Sequence, residues 1–170
     1  LATIFSDLAA RTLDGARRRA IPVPALAVEP GRALAASAGS SLYAVVAIKD
    51  SGKRRFVVVD GGIADNPRPA IYGAFHQPLV ASSRAQGSLR RVTLAGRSCE
   101  NDELVDADLP DDLAIGDLLA LCTTGAYTYS MASNYNRFPR PAVVEVGDGH
   151  HRPIVRRESL ADVMRNDITD

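Results

Sequence analysis

Cysteine, lysine, net charge and long apolar runs are all scarce in this chain, and each shortage narrows its function. Two cysteines, Cys99 and Cys122, are far apart and match no zinc or redox spacing. The 20 basic residues balance 20 acidic ones, with Lys49 and Lys53 the only lysines. That balance gives no electrostatic case for a nucleic acid or an anionic membrane as partner. No apolar run approaches the roughly 18 residues that a membrane helix needs. No P-loop, no GxSxG elbow and no HExxH helix occurs. The three histidines, His76, His150 and His151, form no triad or metal pattern, and GDGHHRP reads as an exposed loop. With no secretory signal in view, the expectation is reduced thiols and a cytoplasmic location. The chain opens on Leu1 rather than Met, directly before an amphipathic stretch, so it is expected to be a piece of a longer chain. The 170 residues suffice for one good core and part of a second domain.

What is present has two rhythms. Phe5, Leu8, Thr12 and Ala16 share a helical face, Arg17 to Arg19 suit the negative end of that helix, and Pro22 and Pro24 stop it. ALAV, residues 25–28, then reads as a buried parallel strand running into the turn EPGR and a short helix, ALAASAG. Helix, buried strand and Gly turn are the pattern of an α/β barrel. From Leu42 the pattern becomes β. YAVVAI and FVVVDGG flank a loop at 50–53, and SLRRVTLAG, GDLLALC, PAVVEVG and IVRR add strands. The expected fold is mainly β, an antiparallel Greek-key-like barrel or sandwich over 37–157. Residues 1–36 would be the end of an α/β barrel and 158–170 a helical tail, with a further helix near 126–134. No internal repeat or low-complexity tract occurs.

Four stretches hold residues suited to chemistry, and each also has an ordinary structural explanation. Glu29, Pro30, Gly31 and Arg32 form either an anion-binding turn at a helix start or a turn closed by a Glu–Arg pair. Arg68 lies between Pro67 and Pro69 in VDGGIADNPRPAIYGA, with Tyr72 beyond. A guanidinium held there either clamps a carboxylate or pairs with Asp60 or Asp65. CENDE, residues 99–103, sets a thiol among carboxylates. Negative neighbours keep the proton on the thiol, so Cys99 is a poor nucleophile; it is either a proton donor or an inert small hydrophobe. In TTGAYTYSMASNYN, Tyr127 can offer its hydroxyl to an anion, while Tyr129 and Tyr135 read as packing residues.

The order of these stretches is more specific than any one of them. EPGR, then VDGGxxDNPRPxxYGA, then CExxD-like CENDE, then GAYxYSMASxYN resembles the C-terminal part of the diaminopimelate decarboxylases, in the ornithine/diaminopimelate/arginine decarboxylase family of pyridoxal-phosphate enzymes. The likeness spans about Val28 to Glu145. It implies an α/β barrel followed by a β domain, and pyridoxal 5'-phosphate as cofactor. Glu29, Pro30, Gly31, Arg32 and Tyr127 would lie at the cofactor. Arg32, Arg68, Tyr72, Glu100 and Tyr127 would bind the amino-acid substrate. Cys99 would be the proton donor, acting with Glu100 in the partner subunit's site. The implied assembly is a homodimer, converting meso-2,6-diaminopimelate to L-lysine and carbon dioxide. Alternatives are a decarboxylase for ornithine, lysine or a carboxylated polyamine, and a non-catalytic dimerisation module on the same scaffold. CENDE departs from the CESGD common in the family, which alters the loop but keeps the Cys-Glu pair. Neither Lys49 nor Lys53 has a cofactor-attachment context, so the lysine that carries the cofactor is expected in a barrel upstream, and this piece alone is expected to be inactive.

Overall fold

The computed structural model of the chain describes residues 2–82 and 84–168. Helix α1, Ala2–Arg18, forms where the amphipathic period predicts it. It ends in a left-handed turn at Ala20, φ 53°, with Ile21 N–H donating to the Ala16 carbonyl and Ala20 N–H to that of Arg17. These bonds satisfy two carbonyls that a helix end otherwise leaves open. The strand expected at 25–28 does not form. Residues 21–30 lack regular structure, and Val23, Leu26 and Val28 are exposed. A parallel strand needs neighbours to complete its ladder, and none flanks this segment among the described residues. After it come α2, Gly31–Ala35, and one 3-10 turn, 36–38.

The core belongs to one sheet of six strands. These are β1 (Ser41–Ser51), β2 (Arg54–Val59), β3 (Pro78–Val80), β4 (Leu89–Ala95), β5 (Glu103–Pro110) and β6 (Leu118–Leu121). The order is β3-β6-β1-β2-β4-β5, and the end strands β3 and β5 approach one another, so the sheet is a nearly closed barrel. Its interior is filled by Val45, Val57, Val59, Val92, Leu94, Leu109, Leu119 and Leu121, with Tyr43 among them. The expectation of a purely antiparallel sheet needs one correction: β2 and β4 run parallel. The connection between them, 60–88, is long enough for the crossover that parallel neighbours require. It also carries helix α3, Arg68–Tyr72, so the correction bears on the site.

Strand β1 is shared. Residues 41–44 pair with β6 and residues 45–51 with β2, and an irregularity between Val45 and Ala47 turns the strand from one partner to the other. The β1–β2 turn has Gly52 at φ 58°, as the sequence predicts. Strand β5 is an element the sequence reading does not anticipate. Helix α4 is only Thr128–Met131, shorter than the 126–134 expected, because Tyr127 is left-handed (φ 67°) and Ala132 extended (ψ 141°). A separate hairpin, β7 (Val143–Gly147) and β8 (His150–Val155), follows, so His150 and His151 lie in a strand rather than a loop. Helix α5, Leu160–Met164, has a capping box between Ser159 and Asp162. Both cysteines are free thiols. Among the described residues no helix is long and apolar enough to cross a membrane.

Candidate active site

Backbone proximity brings two of the four stretches together. Gly39 follows the EPGR segment and Gly125 precedes Tyr127. A Cβ on Gly39 would lie 2.5 Å from the Gly125 Cα, and one on Gly125 would lie 2.7 Å from the Gly39 nitrogen. Only glycine at both positions permits this crossing. It is closed by hydrogen bonds from Gly125 N–H to the Ala36 carbonyl (3.0 Å) and from Thr124 N–H to that of Gly39 (2.9 Å). The turn holding Glu29, Pro30, Gly31 and Arg32 is thus anchored beside the turn that presents Tyr127. The Glu29–Arg32 pair of a merely structural turn is not formed, and Arg32 is exposed. A Cβ on Gly31 would meet nothing within 4 Å.

The third stretch reaches the same turn. Arg68 Nη1 donates to the Ala126 carbonyl at 3.4 Å, and its guanidinium lies 5.5 Å from the centre of the Tyr127 ring. The two carboxylates named as alternative partners of Arg68 are engaged elsewhere. Asp60 accepts from the Ala44 N–H (2.9 Å) and Asp65 from the Tyr43 hydroxyl (2.6 Å). Burial raises the Asp65 carboxyl above its ordinary value and, with Asp65 beside it, raises the Tyr43 hydroxyl well above its own. Arg68 is therefore oriented but has no anionic partner among the described residues. Tyr72, four residues on along α3, shares the helix face of Arg68 and is exposed. Beneath this lies His76, 3 % exposed, whose Nδ1 faces the Cys122 carbonyl at 3.2 Å. The carbonyl assigns the proton to Nδ1. Burial first, and the Arg68 charge second among the lowering influences, depress the imidazole below its ordinary value.

The fourth stretch lies across the DGG loop. Arg97 N–H donates to the Gly61 carbonyl at 3.2 Å, and its guanidinium stacks 3.7 Å from the centre of the Phe138 ring. Cys99 and Glu100 are exposed. Glu100 is held from the tyrosine-rich segment: Asn136 Nδ2 donates to Oε2 at 3.4 Å, and a hydrogen bond from the Tyr135 hydroxyl is the chief reason its carboxyl falls below the ordinary range. Tyr135 is thus not a packing residue as expected, but a half-exposed hydroxyl donor to Glu100. It is left-handed backbone at Asn136 (φ 54°) and Arg137 (φ 58°) that turns this segment after Tyr135. Sequence spacing missed Asp102, which is buried, and missed the Tyr135 and Asn136 contacts with Glu100; the glycines facing Asp102, Gly62 and Gly96, were the available signal.

Two groups of side chains result: the Arg68 guanidinium, with no anionic partner among the described residues, beside the exposed Tyr127 phenol, and the exposed Cys99 thiol next to the Glu100 carboxylate held by Tyr135 and Asn136. The first group suits a carboxylate, and the second suits an ammonium group and has a proton to give. The family model described as "Pyridoxal-dependent decarboxylase, C-terminal sheet domain" matches residues 10–125. A diaminopimelate decarboxylase from Actinosynnema pretiosum is 49% identical over 152 residues, covering 88% of this chain and 34% of that protein. The crystal structure of diaminopimelate decarboxylase from M. jannaschii superposes with a TM-score of 0.83 at 35% identity, covering 95% of this chain and 37% of that one. The Helicobacter pylori diaminopimelate decarboxylase, complexed with L-lysine, gives 0.74 at 36% identity over 81% of this chain and 34% of that one. The chain spans about a third of the length of the relatives it matches. It belongs to the pyridoxal-dependent decarboxylase family, as that family's C-terminal sheet domain.

Proposed function

We propose that the chain is the C-terminal part of a cytoplasmic, homodimeric diaminopimelate decarboxylase that converts meso-2,6-diaminopimelate to L-lysine and carbon dioxide in lysine biosynthesis. Residues 1–36 are the end of its α/β barrel, 37–157 its sheet domain and 158–170 its tail. The observation that carries this reading is Arg68, fixed against the Ala126 carbonyl and the Tyr127 ring with no carboxylate of its own among the described residues. Diaminopimelate has an amino-acid group at each end. Arg68 and Tyr72 take the distal carboxylate, and Glu100 takes the distal ammonium. Lysine and ornithine lack that carboxylate and leave the guanidinium unmatched, a penalty of about 1–3 kcal/mol.

The residues present fit pyridoxal 5'-phosphate, an anionic, aromatic cofactor. Arg32 has no ion-pair partner among the described residues, a Cβ on Gly31 would meet nothing within 4 Å, and the Tyr127 ring is exposed. Glu29, Pro30, Gly31, Arg32 and Tyr127 hold the cofactor, with Arg32 and Tyr127 also touching substrate. When bound, the cofactor supplies the electron sink that makes loss of carbon dioxide from an α-amino acid accessible. Cys99 delivers a proton to the substrate's Cα, and Glu100 orients the far end of the same substrate, both in the partner subunit's site. Lys49 and Lys53 lie exposed in and beside the β1–β2 turn, with no contact to Glu29–Arg32 or Tyr127 among the described residues; covalent attachment is assigned to a lysine of the barrel. Carbon dioxide release from diaminopimelate, lysine and ornithine by the full-length enzyme tests the proposal. Turnover confined to diaminopimelate supports it; equal or greater turnover of ornithine or lysine removes it.

A further inference from the structure

The acidic run at 100–103 divides by direction. Glu100 is exposed, and Glu103 pairs with Arg54 at 2.9 Å. Asp102 points inward and is 5 % exposed. Its Oδ1 accepts from the Ile63 N–H at 2.6 Å and its Oδ2 from the Ser98 N–H at 3.1 Å. Its own carbonyl accepts from the Gly96 N–H at 2.7 Å. Gly62 and Gly96 flank the carboxylate, and a Cβ on either would lie 2.6 Å from Oδ1. The side chain thus occupies a slot that exists because two glycines bound it.

One donor, Ser98, immediately precedes Cys99. The other, Ile63, belongs to the loop that leads into α3 and Arg68. That loop is gripped from its far side as well, where Asp65 Oδ1 accepts from the Gly62 N–H at 2.9 Å. It is closed internally by Asn66 N–H on the Gly62 carbonyl at 2.8 Å. Resting on the decarboxylase reading, we infer that Asp102 is a positioning residue that fixes the Cys99–Glu100 loop against the Arg68 loop. If the thiol serves the partner's site and Arg68 its own, Asp102 ties the two sites of a dimer together within each chain.

The Asp102→Asn variant of the full-length enzyme tests this. The amide keeps the shape but turns a donor toward one of two backbone N–H groups. Hydrogen exchange should rise together in peptides covering 61–63 and 97–99, while β1 and β2 stay protected. Turnover number should fall about 10- to 100-fold, as misplacement of a reacting group does, with KM and cofactor affinity close to native. Native exchange at either loop overturns the inference. So does raised exchange at both loops with native turnover, which would make Asp102 a brace and nothing more. Should Asp102→Asn fail to fold, Gly96→Ala crowds the same carboxylate from outside and is read in the same way. The exchange arm needs no substrate. Absence of carbon dioxide release from diaminopimelate by the native enzyme would therefore count against the proposed function, separately from the coupling.

Discussion

Replacing Gly125 with Ala should separate the Glu29–Arg32 turn, proposed to hold the cofactor, from the turn that presents Tyr127. The added Cβ would lie 2.7 Å from the Gly39 nitrogen, 3.1 Å from the Ala36 carbonyl oxygen and closer still to that of Ala35. All three are backbone atoms, so no side-chain rotation relieves the crowding. Ordinary contact begins near 3.4 Å, so the 31–39 segment must retreat by about 1 Å. The retreat breaks the Gly125–Ala36 and Thr124–Gly39 hydrogen bonds, about 1 kcal/mol each. Residual overpacking adds about 1–3 kcal/mol, for a total of about 3–5 kcal/mol. Gly147, with nothing within 4 Å of its would-be Cβ, supplies the control: Gly147→Ala should change stability by less than about 0.5 kcal/mol. The assay is cofactor titration of the full-length apo-enzyme alongside urea unfolding. The expected result is a cofactor affinity weakened by about tenfold or more and a lowered midpoint for Gly125→Ala alone. Native affinity and native midpoint in that variant would refute the claim that glycine contact sets the distance between the two turns.

Other outcomes follow from the same geometry. Arg68→Ala should depress diaminopimelate turnover far more than cofactor loading, and Arg68→Lys should recover little, because an ammonium cannot match a carboxylate through two parallel bonds; steady-state kinetics beside an absorbance measurement of bound cofactor decides it. Glu158 accepts from the Arg140 guanidinium at 2.6 and 3.0 Å, which holds its carboxyl down at about 2. A depressed carboxyl contributes stability that is complete above its unfolded value and lost as pH falls from about 4.5 toward 2, and acid unfolding of Glu158→Gln should lack that component. Burial lowers His76, so the neutral ring is favoured in the folded state and stability should fall as pH drops below about 6.5; a His76→Gln variant that keeps the native pH slope would contradict this.

Some of this was legible in the sequence for clear physical reasons. Alternation and turn residues placed β1, β2, β4 and β6, and the order of four short motifs pointed to the family. Strand β5 escaped although its apolar residues alternate with the outward-facing Asp106 and Asp108, because aspartate is a residue type depleted in strands. The parallel pairing of β2 and β4 is a property of the 60–88 crossover, invisible to a reading that pairs neighbours along the chain. The segment 25–28 has the composition of a buried strand, but a ladder needs partners, and composition does not supply them. The helix at 126–134 was overestimated because Tyr127 adopts a left-handed backbone, which no helical period announces. Asp102 and Tyr135 were passed over for the same reason: each has an ordinary residue type, and its importance lies in what tertiary structure sets opposite it.

Subunit exchange puts the central claim at most direct risk. Cys99→Ala and Arg68→Ala homodimers of the full-length enzyme, each nearly inactive, are unfolded or dissociated together and allowed to re-form dimers. If the thiol of one chain works beside the Arg68 of the other, each mixed dimer regains one intact site. Random pairing then restores about a quarter of native activity. Activity that stays at the level of the two parents would show that Cys99 and Arg68 of the same chain serve the same site, and the account would be wrong.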